Sequence, residues 1–173
     1  RESKKKIEKN EIQFDTKGIE NVRRDSCKAM SKIIEKVIKI LFNEKDLSHI
    51  KEYIFRSFDK IISGKVIISD FIFAKEVKWG KYHGNILPPS AQVAFNLYQK
   101  DPNSLPVYGQ RIPFIIYNNQ SGYKQQYQSV ISPMEFFANR TNTICTDAYI
   151  DLIQKMLKRY LEPIDVDVSE WIR

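Results

Sequence analysis

Residues 15–27, DTKGIENVRRDSC, set two adjacent arginines just ahead of a long apolar helical pattern. Arg23 and Arg24 each carry a planar fork of donors whose spacing matches the oxygens of a phosphate. Asp15-Thr16-Lys17-Gly18 has the residues of a phosphate-accepting Asp-Lys-Thr-Gly motif but not their order, which excludes that covalent chemistry. A second cationic group lies in AKEVKWGKYHG, residues 74–84, where Lys75, Lys78 and Lys81 alternate with Trp79 and Tyr82. Lysines neutralise phosphates and aromatic rings lie on sugars or bases, so this mixture suits a nucleic acid. The alternative reading places Trp79 in the core with the lysines as its solvated neighbours.

Other chemistry finds little support. His49 and His83 are the only histidines and sit in no Ser/His/Asp or Cys/His arrangement; His49 reads as a surface residue in the first turn of a helix. Cys27 stands near a helix start between basic residues, a setting that would activate a thiol. With no base nearby in sequence it reads instead as a small buried hydrophobe. Cys27 and Cys145 are the only cysteines, too few for a zinc cluster or a disulfide framework, and they fit a reducing compartment. Asp165-Val166-Asp167 could share a divalent ion, but it follows the last helix and reads as a solvated tail. The six glycines form no phosphate loop of the GxxxxGK[ST] kind.

The bulk numbers agree with a binding protein. The 173 residues suffice for one domain with a proper core, and 42% are hydrophobic, which excludes a disordered tail. A net charge of +7 points to an acidic partner, whether nucleic acid, an anionic membrane face or an acidic protein, the alternative being a soluble surface that is simply basic. No apolar run reaches the roughly 20 residues that span a bilayer, so no membrane role is expected. An opening Arg1 predicts a piece of a longer chain.

The elements that must position these groups are mostly helical. Residues 1–13 read as a charged connector. Met30, Ile33, Ile34, Val37, Ile38 and Leu41 share one helix face, capped by Asp25 or Ser26, with Lys28, Lys32, Lys36 and Lys39 opposite. A second helix runs from Asp46 to Gly64, burying Leu47, Ile50, Ile54, Phe58 and Ile61, and the short junction predicts an antiparallel hairpin. KVIISDFIFAKEVKW, residues 65–79, reads as extended around a polar kink at Ser69-Asp70. Ser90 to Lys100 reads as a helix packing Ala94, Leu97 and Tyr98. RIPFII and QSVI, on either side of a glycine turn, predict a β-hairpin. Ser132-Pro133-Met134-Glu135 has the form of a capping box. A last helix, Thr146 to Glu162, buries Tyr149, Ile153, Met156, Leu157 and Tyr160.

KGIENVRRDSC at 17–27 resembles the segment that leads from palm to thumb in family B DNA polymerases. DFIFAKEV at 70–77, GQRIPFII at 109–116 and AYIDLIQKMLKRYLEPI at 148–164 match the same family in the same order, and FAKEVKWGKY with VISPMEFF resembles its zeta-type branch. The resemblance implies an α+β, predominantly helical thumb subdomain with an antiparallel helix hairpin and a small β-hairpin. Residues 1–24 would be the connector from an absent palm and residues 25–173 the thumb. Where the family commonly has a Pro pair in the final helix, Met156 and Leu157 stand.

What the resemblance implies is a nuclear DNA-directed DNA polymerase of the translesion type, inactive as this piece alone. Its partners would be the primer–template duplex, the palm of the same chain and accessory polymerase subunits. Mg2+ would sit at the palm and a metal cluster in a cysteine-rich C-terminal module, with no cofactor and no catalytic residue in this stretch. Lys17, Gly18, Arg23 and Arg24 fall where the family meets the duplex backbone, with Gly18 admitting close approach. Lys75 and Arg111 fall in matching blocks on the DNA-facing side, beside Lys78, Lys81 and Tyr82. The rival expectation is a stand-alone basic module that binds nucleic acid without catalysis.

Overall fold

A computed structural model describes residues 26–44, 46–82, 86–118, 129–164, 166 and 171. Among these residues five α-helices and three short strands follow in chain order: α1 Lys28–Asn43, α2 Leu47–Ile62, β1 Phe73–Glu76, α3 Pro89–Lys100, β2 Arg111–Ile116, β3 Val130–Ile131, α4 Pro133–Ala138 and α5 Thr146–Leu161. The expected α+β, helix-dominated class holds, and β1 joins the expected hairpin to make a three-stranded antiparallel sheet in the order β1-β2-β3.

In α1, Met30, Ile33, Ile34, Val37 and Ile38 are buried as their spacing requires, with Ile40 added. Its N-cap is Cys27, without a side-chain cap, so Ser26 does not cap; its hydroxyl donates to the Cys27 carbonyl. Asp25 lies outside the described residues. Two members of the lysine stripe have a structural task. Lys32 Nζ is 2.5 Å and Lys28 Nζ 3.7 Å from the carboxylate of Asp70, a contact that ties α1 to the next segment.

Asp46 caps α2 by accepting from the Ser48 and His49 amides, and Gly64, at φ +68°, turns the chain beyond its end. Ile50, Ile54, Phe58 and Ile61 are buried against α1 and α5, whereas Leu47, expected inside, is exposed because it stands at the first helical position, before the packed turns begin. His49 pairs at the surface with Glu44. The stretch expected to be extended opens instead with a 3-10 turn over Ile68–Phe71, which contains Ser69-Asp70 and buries Phe71. The Asp70 contact with two lysines favours that turn over a strand.

In α3 the buried face is Ser90, Ala91, Val93 and Ala94, with Leu97 half-buried and Tyr98 outside it. Small residues let the helix lie close on β2, which rotates Tyr98 to solvent. The capping box forms as expected: Ser132 Oγ accepts from the Glu135 amide and donates to Glu135 Oε2 at 2.7 Å. Burial pushes the Glu135 carboxyl up, but contacts with Lys100 and Ser132 outweigh it and hold the carboxyl below its ordinary value. In α5, Tyr149, Ile153, Met156 and Leu157 are buried in an unbroken helix, and Leu161 rather than Tyr160 closes the buried face.

Tyr149 stands at the centre of the core, fully buried. Its hydroxyl donates to the Phe71 carbonyl at 2.7 Å and accepts from the Ile116 amide at 3.0 Å. The ring meets Phe71 edge-on and stacks on Phe73, with centroids 5.0 and 5.8 Å away. One side chain of α5 thereby fixes the approach to β1 and the end of β2.

Cys27 is also fully buried, and burial pushes its thiol up to about 11 from an ordinary 9.0. The inert reading of Cys27 holds. A folded-state value above the unfolded one means that the stabilisation is complete below 9.0 and is lost as pH rises toward about 11. At pH 8 iodoacetamide is expected to modify Cys145, which is half-buried, and to spare Cys27 until denaturant is added, as peptide mass mapping would show. Equal modification of both in the native state would contradict this account.

Candidate nucleic-acid interface

The β1–β2 ladder builds the site. Glu76 faces Arg111, Lys75 faces Ile112, Ala74 faces Pro113 and Phe73 faces Phe114. Phe73 and Phe114 stack in the core, and toward the end of β1 Lys75 and Glu76 are both exposed. A proline in a middle strand needs an explanation. Val77 donates to the Gln110 carbonyl, so by alternation Ala74 and Pro113 form a pair without mutual hydrogen bonds. The missing proline donor then points toward β3, which reaches only as far as the partners of Ile115 and Ile116. On the other side the Ala74 carbonyl turns to the open edge of the sheet, where the Arg111 guanidinium donates to it through Nη2.

Beyond β1 the chain makes a turn through Trp79 and Gly80, the latter at φ +81°. The Tyr82 hydroxyl accepts from the Lys78 amide at 2.7 Å, and the Trp79 ring meets Tyr82 edge-on with centroids 6.1 Å apart. This closes the turn so that Lys78 and Lys81 project on the same side. Trp79 is half-buried against the core, with its Nε1 unpartnered among the described residues. Trp79 packs against the core without being part of it, and its ring meets Tyr82.

Lys75, Glu76, Lys78, Lys81, Tyr82, Pro88, Ser90 and Arg111 line one open cleft of about 490 Å³. All five expected site residues within the described stretches therefore meet in a single place; Lys17, Gly18, Arg23 and Arg24 lie outside those stretches. Four cations face one carboxylate. Lys78 Nζ is 3.4 Å from Glu76 Oε2 at the surface, a pair of little energetic weight. Cations crowded at a low-dielectric wall raise the local potential and attract anions. No group of three or more metal-ligating side chains occurs among the described residues. Asp165 and Asp167 lie outside them.

Two features, one in the cleft and one beside it, were not evident from the sequence. Ser90, buried at the start of α3, helps form its floor. Tyr108, on the loop before β2, has Lys81 Nζ 5.8 Å from its ring centroid. Its only sequence signal is a tyrosine beside the turn-forming Gly109. No helix is long and apolar enough to cross a membrane among the described residues.

The described architecture is a family B polymerase one. The structure of the family B DNA polymerase from the archaeon Pyrobaculum calidifontis superposes with a TM-score of 0.61 over 79% of this chain and 17% of that one, at 15% identity. The model of DNA polymerase family B matches residues 2–164, so the chain belongs to DNA polymerase family B. Within the family it is similar to DNA polymerase zeta catalytic subunits. It is 39% identical to that of Saccharomyces cerevisiae, 38% to that of Homo sapiens and 35% to that of Arabidopsis thaliana, in each case over 91% of this chain. The chain spans only 11%, 5% and 9% of the length of those three relatives.

Proposed function

We propose that this chain is the thumb subdomain of a zeta-type DNA-directed DNA polymerase, and that its cleft grips the sugar–phosphate backbone of the primer–template duplex. The observation that supports the reading is the convergence of Lys75, Lys78, Lys81 and Arg111 on one open cleft. An enzyme that copies any sequence must hold phosphates and duplex shape and leave base edges unread. By resemblance to the family, Lys17, Gly18, Arg23 and Arg24 would meet the same duplex backbone. Nucleotidyl transfer belongs to the metal-binding aspartates of a palm outside this sequence, in a nuclear translesion enzyme with accessory subunits. The chain alone is therefore expected to bind duplex DNA and to add no nucleotide.

A salt titration of binding to a fluorescent primer–template duplex tests this. The expected result is a log–log slope of about −0.9 for each phosphate engaged, the same for unrelated sequences. Arg23→Ala with Arg24→Ala is expected to flatten it. No binding at low salt would remove the clamp from this chain.

A further inference from the structure

We propose that Tyr108 is a further element of the DNA-binding surface, its ring forming an apolar wall that packs against a sugar or base beside the phosphates held in the cleft. The inference rests on the duplex-gripping reading above. Three observations carry it. First, Tyr108 is held in place by backbone: the Gly109 amide donates to the Val77 carbonyl at 2.8 Å, the Val77 amide donates to the Gln110 carbonyl at 2.9 Å, and Gly109, at φ +81°, makes the turn between them. The loop is thus an extension of the β1–β2 ladder, and the backbone beside Tyr108 is held against Val77. Second, the Lys81 ammonium, itself part of the cleft, lies 5.8 Å from the ring centroid. That contact is of the cation–π kind and aligns the ring with the rim of the cleft.

Third, packing does not account for the ring. Tyr108 is 55% exposed, and its neighbours Leu105 and Val107 are 55% and 75% exposed. Single exposed apolar residues are ordinary on a protein surface, so the weight rests on where this ring stands, beside a cation of the cleft. Its position against a cationic groove is the combination by which proteins hold nucleic-acid strands without reading sequence: cations on phosphates, a ring face on a sugar or base.

The two contributions differ in their response to salt, and this separates them. A phosphate contact changes the slope of affinity against salt, whereas a ring contact releases no counterion and changes affinity equally at all salt concentrations. Duplex affinity is to be measured from 50 to 200 mM salt for the parent chain and for Tyr108→Phe, Tyr108→Leu and Lys75→Ala. Leu keeps apolar bulk without a ring face, and thermal unfolding of each variant checks that the exposed site leaves the fold intact. Tyr108→Leu is expected to bind about fivefold or more weakly at every salt concentration with an unchanged slope, Tyr108→Phe to bind like the parent, and Lys75→Ala to flatten the slope. Parental affinity for Tyr108→Leu alongside a flattened slope for Lys75→Ala overturns the role of Tyr108 and leaves the clamp standing. A parent that shows no salt-dependent binding overturns both.

Discussion

Tyr149→Ala is expected to lower the free energy of unfolding by about 3–5 kcal/mol, the cost of emptying a buried aromatic site. The side chain is fully buried, so the cavity has no route to fill from solvent. Beyond the ring contacts with Phe71 and Phe73, the change leaves the Phe71 carbonyl and the Ile116 amide without their partner. Tyr149→Phe isolates that part. It keeps the stacking and removes the hydroxyl, and two buried backbone groups lose a bond for about 1–3 kcal/mol. Denaturant unfolding of the two variants and the parent measures both numbers. Equal stability of Tyr149→Phe and parent would mean that the hydroxyl does not tie these segments together. Because Tyr149 anchors the approach to β1, partial unfolding should loosen the cleft first, and Tyr149→Phe should bind duplex more weakly than its stability alone dictates.

Replacing Lys75, Lys78 and Lys81 together by alanine is expected to have the largest effect on binding. If each meets one phosphate, the log–log salt slope becomes shallower by about 2.7, at roughly 0.9 per contact. Carried from 1 M salt, where the electrostatic part vanishes, to 50 mM, this amounts to a loss of about three-thousandfold. All three lysines are exposed, and the Glu76–Lys78 pair contributes little, so folding should be unaffected. Net charge also falls by three, which calls for a control. Lys60, Lys65 and Lys158 are exposed and lie outside the cleft. Their joint replacement removes the same charge and should leave the slope near that of the parent. If both triple variants lose affinity alike, attraction is a property of overall charge and the cleft has no special part in it.

Much of this was readable from residue spacing where one element decides its own fate. Asp46 and Gly64 bracket α2 because capping and chain reversal are local. The Ser132–Glu135 box is equally local. The buried face of α3 was misassigned at Tyr98 because apolar residues occur all round that helix, and only the approach of β2 selects Ala91, Val93 and Ala94. The 3-10 turn at Ile68–Phe71 depends on Lys28 and Lys32 from α1, which no local pattern announces. In the site, lysines alternating with aromatics could be read directly. Tyr108 could not, since its partner Lys81 belongs to another loop. Arg111 was found by resemblance; that its guanidinium serves a carbonyl of β1 follows only from the register.

That contact bears on how copies of the chain behave toward each other. β1 is an outer strand, and the Ala74 carbonyl on its open side is a place where a foreign strand could start to pair. The guanidinium of Arg111 already occupies it, and the flanking Lys75 and Glu76 add charges that a stacked identical strand would have to bury or oppose. The edge is thus guarded by the protein's own arginine. If the cleft holds a duplex as proposed, a phosphate would compete for that guanidinium and the duplex itself would stand at the edge in its place.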